Sequence, residues 1–448
     1  MNTEQIKQTG LARTLYQMTW PMLFGVLALM SYQLVDAAWI TLLGVDPLAA
    51  LGFTVPVQQL IIGFQVGLGI ATTAIISRSL GAGAAEKAKQ QGRLILIAGI
   101  SLLALLVISL WLLRPLILSF LGADAELRPL IDAYWAPWLL SAWLGGVVYL
   151  GYSQHRAQGD TKFPGLMMLV VSLINLVLDP LFIFTLGWGL PGAAWATVTA
   201  FALGILMTYP RIFKKGWVSN DLQGLSIIQE INKLFGTAFP AMLSQLMPAF
   251  SAILATSLVA GFGTVAVAAW GLGTRLEFFS IVVVLALTMS LPPLLGRFAG
   301  AGDWDAVERL VSLAVRFVIF WQLGIALVWV LLSQPLVNLM IDETAVSELV
   351  RDYLFKLPVS YAALGVCMLM VSANNAVGMP LRGLVTSILR LFACYLPFLW
   401  LGAQLGGING LFTGALVGNL LAGLLAWQVF QKGISRLRSQ RVDEPRQQ

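Results

Sequence analysis

Asp36, Asn175, Asp179 and Thr197 are the residues whose types and placement could do chemistry, because each lies inside a long apolar run. Asp36 ends the stretch Tyr32-Gln33-Leu34-Val35-Asp36. Asp179 lies in Asn175-Leu176-Val177-Leu178-Asp179-Pro180, and the next run adds Thr197 and Thr199. Asn175 and Asp179 are four residues apart, so on a helix one face carries both an amide and a carboxylate. A carboxylate at the middle of a bilayer costs roughly 2.5–3.5 kcal/mol on insertion scales, so such acids are rare, paired and usually functional. Oxygen ligands of this kind can hold a proton or a hard cation such as Na+. Removal from water disfavours the ionised carboxylate, and a second carboxylate nearby disfavours it further. A static hydrogen-bond network is the competing reading. The third acid well inside a run is Glu277, two residues from Arg275, a spacing that puts the two on different helix faces. Glu277 reads as structural or interfacial, and Arg316 and Arg390 as snorkelling or interhelical residues.

Other chemistries lack their residues. His155 is the one histidine, too few for a histidine-rich metal site. Cys367 and Cys394 lie in apolar runs and read as packing residues. No nucleophile elbow or phosphate-binding loop occurs, so an enzyme is not expected. The net charge of +6 is scattered over loops, so it reads as a topology signal and not as a nucleic-acid surface.

The elements that must position these side chains are membrane spans. Of 448 residues, 58% are hydrophobic and 11% charged, against about 25% charged in soluble domains. Mean hydropathy is +0.84. Twelve runs suit spanning helices of about 20 residues. They lie near 15–40, 53–76, 94–113, 132–154, 164–186, 190–210, 234–259, 265–296, 310–332, 352–374, 383–402 and 407–431. Pro21, Pro56, Pro180, Pro248 and Pro292-Pro293 read as kinks within them. The polar N-terminus has no small-residue cleavage pattern, so the first run is expected to stay in the protein.

Twenty Lys and Arg flank the tail, the loops after even-numbered spans and the C-terminus, Arg441 and Arg446 among them. Only Arg114, Arg128, Arg351 and Lys356 fall on the other side. This bias puts both termini in the cytoplasm.

The sequence also resembles itself at a shift of about 219 residues. Trp20-Pro21 aligns with Phe239-Pro240, Gly44 with Gly263, and Gly52 with Gly271. Arg78 to Gly83 aligns with Arg297 to Gly302, and Tyr134 with Tyr353. At a shift of 218, Gly189 and Gly192 align with Gly407 and Gly410. An even number of spans per repeat makes the halves parallel repeats, a plan used for alternating access with the path between lobes. The expected division is 1–210 for the N-terminal lobe, 211–233 for a cytoplasmic linker and 234–448 for the C-terminal lobe with its basic tail. Asp36 aligns with Ala255, and span 11, the partner of span 5, has Arg390 and no acid, so the charge is asymmetric on a symmetric scaffold. Gly63-x-x-x-Gly67 and Gly410-x-x-x-Gly414-x-x-x-Gly418 read as sites of close helix contact.

Trp20-Pro21-Met22, Leu34-Val35-Asp36, Gly81 with Gly83, and Gln158-Gly159-Asp160-Thr161-Lys162-Phe163-Pro164 resemble the MATE family (multidrug and toxic compound extrusion), most closely its DinF-like branch. The resemblance implies an all-α membrane protein of twelve helices in a V-shaped pair of six-helix bundles. It implies an antiporter that exports cationic or amphiphilic drugs in exchange for H+ or Na+. Carried over, the coupling site is Asp36, Asn175, Asp179 and Thr197, with Tyr32 and Tyr134 nearby and Pro21 as a bend in span 1. The NorM-like branch also uses acids in spans 7 and 10. Here span 7 has Pro248 near the corresponding position, and span 10 has no acid beyond Asp352, which argues against a cation site in the C-terminal lobe. The expectation is therefore a monomer in the inner membrane, with drugs and lipid as partners and no cofactor beyond the coupling ion. A lipid-linked precursor flippase of similar architecture is the alternative, although its pyrophosphate cargo calls for a strongly cationic cavity. A membrane enzyme and a passive channel are the remaining rivals.

Overall fold

The computed structural model describes residues 3–124, 126–340 and 343–443. Arg446 and the side chain of Arg441, two of the twenty basic residues counted above, lie outside the described residues. The described chain is α- and π-helical, with no strand among the described residues. Ten helical stretches are long and apolar enough to cross a membrane. One of them, Pro380–Ser439, is broken at Gly406 and Gly407 and so makes two crossings. The helix Arg128–Ala157, 30 residues long but more polar, completes twelve.

The chain forms two compact units, one ending at Met242 and the other beginning at Leu243. Helix Gly189–Lys214 and helix Ile227–Ala260 reach into the connection between spans 6 and 7, leaving 215–226 irregular. That stretch is laced onto helix ends of the first unit. The amide of Gln154 donates to the Trp217 carbonyl at 3.1 Å, Ser219 N–H to the Lys89 carbonyl at 3.2 Å, and Gln90 to the Gln223 carbonyl at 3.1 Å. The start of helix Ile227–Ala260 also belongs to the first unit. Leu234 and Ala238 pack with Leu68, Ala71 and Ile75, and Met242 fills the space that a side chain on Gly67 would need.

Backbone geometry repeats along with the sequence. Gly44 and Gly263, Gly83 and Gly302, Gly159 and Gly378, and Gly189 and Gly407 all have positive φ, at shifts of 219 or 218 residues. At Gly407 (φ 59°, ψ −144°) the chain reverses between spans 11 and 12, a conformation that a Cβ would strain. Beyond that turn the glycine row makes a close hairpin. Gly410 lies against Gly402, Gly414 against Phe398, and Gly418 against the carbonyl of Cys394. Each pair brings backbone to backbone, which only a missing side chain allows.

Proline roles divide by position. Pro21, Pro137, Pro292, Pro293, Pro335 and Pro358 stand inside helices. Pro56, read above as a kink, instead sits in the first turn of helix Val55–Gly81, where its missing N–H costs nothing. Pro180 ends helix Lys162–Pro180 and is followed by a π-helical turn, Leu181–Thr185.

Candidate functional site

The site in the first unit is assembled by two helices in register. Helix Leu11–Thr41 and helix Lys162–Pro180 meet where Gly165 lies against the carbonyl of Pro21. One turn further, a Cβ on Gly25 would lie 3.0 Å from the Gly165 carbonyl oxygen and 3.0 Å from the Met168 sulfur. Both helices then run on in the same direction. At 1.5 Å per residue, the fifteen residues from Pro21 to Asp36 and the fourteen from Gly165 to Asp179 cover about 22 and 21 Å. The two carboxyl groups therefore arrive at the same level, close enough to act on each other electrostatically.

Asn175 bridges to the third helix. Its amide nitrogen lies 3.3 Å from Asp179 Oδ1 and donates to Thr197 Oγ1 at 3.1 Å. Thr197 donates in turn to the Ala193 carbonyl at 3.1 Å. Helix Gly189–Lys214 is brought close by Gly192, whose missing side chain admits the Phe182–Ile183 backbone. Asn175 and Asp179 are buried, Asp36 and Thr197 partly so. The hydroxyls of Tyr32 and Tyr134 fall within electrostatic reach of both carboxylates. Tyr134 is buried and stacks on Trp138, with ring centroids 6.5 Å apart.

Asp36 Oδ1, Asn175 Oδ1 and Asp179 Oδ2 are buried and have no hydrogen-bond partner within the described protein. An unpaired buried acceptor costs on the order of 1–3 kcal/mol, more when charged. One small site thus holds three acceptor oxygens with unused capacity, and no basic side chain acts on either carboxylate among the described residues. Such a site can take up a proton or coordinate a small cation. Pro21 stands fifteen residues before Asp36, at the crossing and away from this cluster.

Two polar hubs escaped the sequence reading. Asp160, just before helix Lys162–Pro180, gathers His155 at 3.3 Å, Lys215 at 3.4 Å and Arg211 at 3.5 Å on Oδ2, and Oδ1 accepts the Phe163 N–H at 3.2 Å. Partial burial opposes its charge. The hydrogen bonds from His155 and Phe163, with the electrostatic pull of His155 and Lys215, outweigh that and hold the carboxyl well below the usual carboxylate range. Glu230 is 5% exposed and accepts from Gln91 at 2.7 Å and Lys233 at 2.8 Å, with Lys87 at 3.4 Å. No local pattern marks either hub, because each draws partners from distant parts of the chain, Arg211 and Lys215 for Asp160, and Lys87 and Gln91 for Glu230.

In the second unit, Glu277 Oε2 accepts from Tyr353 at 3.3 Å, and Tyr361 donates to the Tyr353 oxygen at 3.4 Å. Tyr353 is the repeat mate of Tyr134, so that alignment was the available signal. Arg275 and Arg316 are exposed, as snorkelling residues are.

Comparison with known proteins agrees with this architecture. The MatE family model matches residues 21–181 and 240–418. The "FAD transporter" of Shewanella oneidensis is 31% identical over 434 residues, covering 94% of this chain and 95% of that protein. The "Multidrug export protein MepA" of Staphylococcus aureus is 24% identical, covering 95% of each. The crystal structure of the Vibrio cholerae MATE transporter VcmN in the bent form superposes with a TM-score of 0.93 at 53% identity, covering 95% of this chain and 98% of that one. With its multi-pass helical fold and a family match over most of its length, this chain belongs to the MATE family of membrane transporters.

Proposed function

We propose that the protein is a secondary active exporter of cationic or amphiphilic drugs, working as a monomer in the inner membrane with both termini in the cytoplasm. Export is driven by inward movement of H+, or of Na+, through Asp36, Asn175, Asp179 and Thr197. The observation that carries this reading is the convergence on one site of three buried acceptor oxygens with no hydrogen-bond partner and no basic neighbour among the described residues. The ion supplies what those oxygens lack, and its arrival changes the bonds between span 1 and spans 5 and 6. Pro21 leaves one backbone hydrogen bond of span 1 unmade, so the helix has a place to bend. An ion that favours the bent form by about a hundredfold in affinity changes the ratio of the two forms by the same factor.

Proteoliposomes with an imposed pH or Na+ gradient test the proposal. Drug flux against its own gradient, abolished by Asp36→Asn or Asp179→Asn, is the expected result. Flux that ignores both gradients would overturn it. The relative named as an FAD transporter favours a second cargo class, a flavin dinucleotide. FAD belongs in the same assay, and ion-driven movement of FAD without movement of drugs would replace the drug reading while leaving the coupling site in place.

A further inference from the structure

Glu277 and Arg390 are a carboxylate and a guanidinium inside the spans of one unit, yet they form no direct ion pair. Arg390 is near enough to act electrostatically on Glu277, Tyr395 and Cys367, but makes no hydrogen bond among the described residues. Both side chains are partly exposed despite lying mid-span, whereas Tyr353 and Tyr361 beside them are buried at 0% and 1% exposure. Two opposite charges kept only for packing gain most by touching, because each unpaired charge in an apolar interior costs several kcal/mol. Held apart and partly exposed, both keep the capacity to engage a ligand.

The surroundings of Glu277 are also fixed in place. Tyr361 and Tyr353 form a hydroxyl relay that ends on Glu277 Oε2, which leaves Oε1 available. Tyr353 is itself fixed: its ring occupies the space beside Gly273, one turn before Glu277, and packs on Trp270 and Phe412 with centroids 5.8 and 5.5 Å away. Arg390 and Tyr395 stand on a π-helical segment, Leu389–Tyr395, and such segments are frequent at functional sites. The first unit has the same two features around its acids. There Tyr134 is the repeat mate of Tyr353, and a π-helical turn follows Asp179-Pro180.

We propose that Glu277 and Arg390 form a second binding recess, within the second unit, for an amphoteric organic molecule, its cationic group on Glu277 and its anionic group on Arg390. The inference rests on the export reading above and names a cargo class for it. It gives the two lobes different roles. The first has acids without a base and takes a bare cation, and the second has an acid with a base and takes a zwitterion.

The test uses the purified full-length protein and two fluorescent xanthene dyes. One carries a free carboxylate and is a zwitterion; its ethyl ester is a cation. Fluorescence anisotropy gives the affinity of each. In the wild type the zwitterion is expected to bind more tightly than the ester. Arg390→Gln should lower that preference about tenfold, the size of one charged hydrogen bond. Arg390→Lys, which keeps the charge, should retain most of it and serves as the variant if Arg390→Gln does not fold. Equal wild-type binding of both dyes, or an unchanged preference in Arg390→Gln, would overturn the inference. Ion-driven export of the ester by the wild type, measured in parallel, separates the two failures. If it persists, only the recess is wrong; if it is absent, the export reading fails as well.

Discussion

Replacing Gly165 by alanine tests whether the close crossing of spans 1 and 5 sets the level of the two acids. A Cβ built at Gly165 collides with the Pro21 carbonyl oxygen and lies 2.6 Å from its carbon and 3.1 Å from Pro21 Cβ. Carbon atoms prefer separations of about 3.5–4.0 Å, so the helices must part by about 1 Å. The obstacle is backbone of a proline inside a helix, which no rotamer change can move aside. Overpacking of this kind costs about 3 kcal/mol. Alanine recovers about 1 kcal/mol through helix propensity, leaving a net loss of about 2 kcal/mol. Gly236→Ala is the control, because nothing lies within 4 Å of its Cβ position and it stands inside helix Ile227–Ala260. There only the propensity term acts, and the variant should be as stable as wild type or up to about 1 kcal/mol more so. Thermal unfolding of both variants in detergent measures the contrast, and ion-driven export in proteoliposomes measures the consequence. Gly165→Ala should melt below wild type and export poorly. If it melts with Gly236→Ala and exports normally, the crossing is not tight and the register argument for Asp36 and Asp179 falls.

Three further outcomes are expected. Asp36→Asn, Asp179→Asn and Asn175→Ala should reach the membrane but lose drug export by more than tenfold, while Glu277→Gln is milder; resistance assays at matched expression decide, and an inert Asp179→Asn beside a dead Glu277→Gln would reverse the assignment. Asp160 is held below its unfolded value of about 3.9, so its stabilising contribution is complete above that pH and is lost as pH falls toward the lower folded value. Melting curves from pH 7 down to pH 3 should therefore show Asp160→Asn less stable at neutral pH and flatter on the acid side, and a parallel offset at every pH would contradict this. Asn220→Cys should resist an impermeant thiol reagent in intact cells, against a quiet background because Cys367 and Cys394 are buried; ready labelling would invert the topology.

Hydrophobic runs and charge bias are local quantities, which is why the sequence alone determined the helical membrane class, the repeat and the principal acids. Asp36, Asn175, Asp179 and Thr197 were legible because a polar oxygen in an apolar run is costly wherever the chain goes. The Asn175–Asp179 pairing was legible for a second reason, that four residues make one helical turn. Geometry across helices was not legible. That Asp36 rises to the level of Asp179 depends on where Gly165 meets Pro21, a contact between residues 144 apart. That Pro56 begins a helix while Pro21 interrupts one depends on where the preceding turn ends. Glu277 shows the same division. Its charge and its span were evident, but its distance from Arg275 along the chain said nothing of Tyr353, 76 residues on, which orients it. Local sequence sets what each segment prefers, because propensity and hydropathy act over a few residues. Only the packed helices decide which polar groups share a site, because those contacts are made by side chains that the chain order keeps far apart.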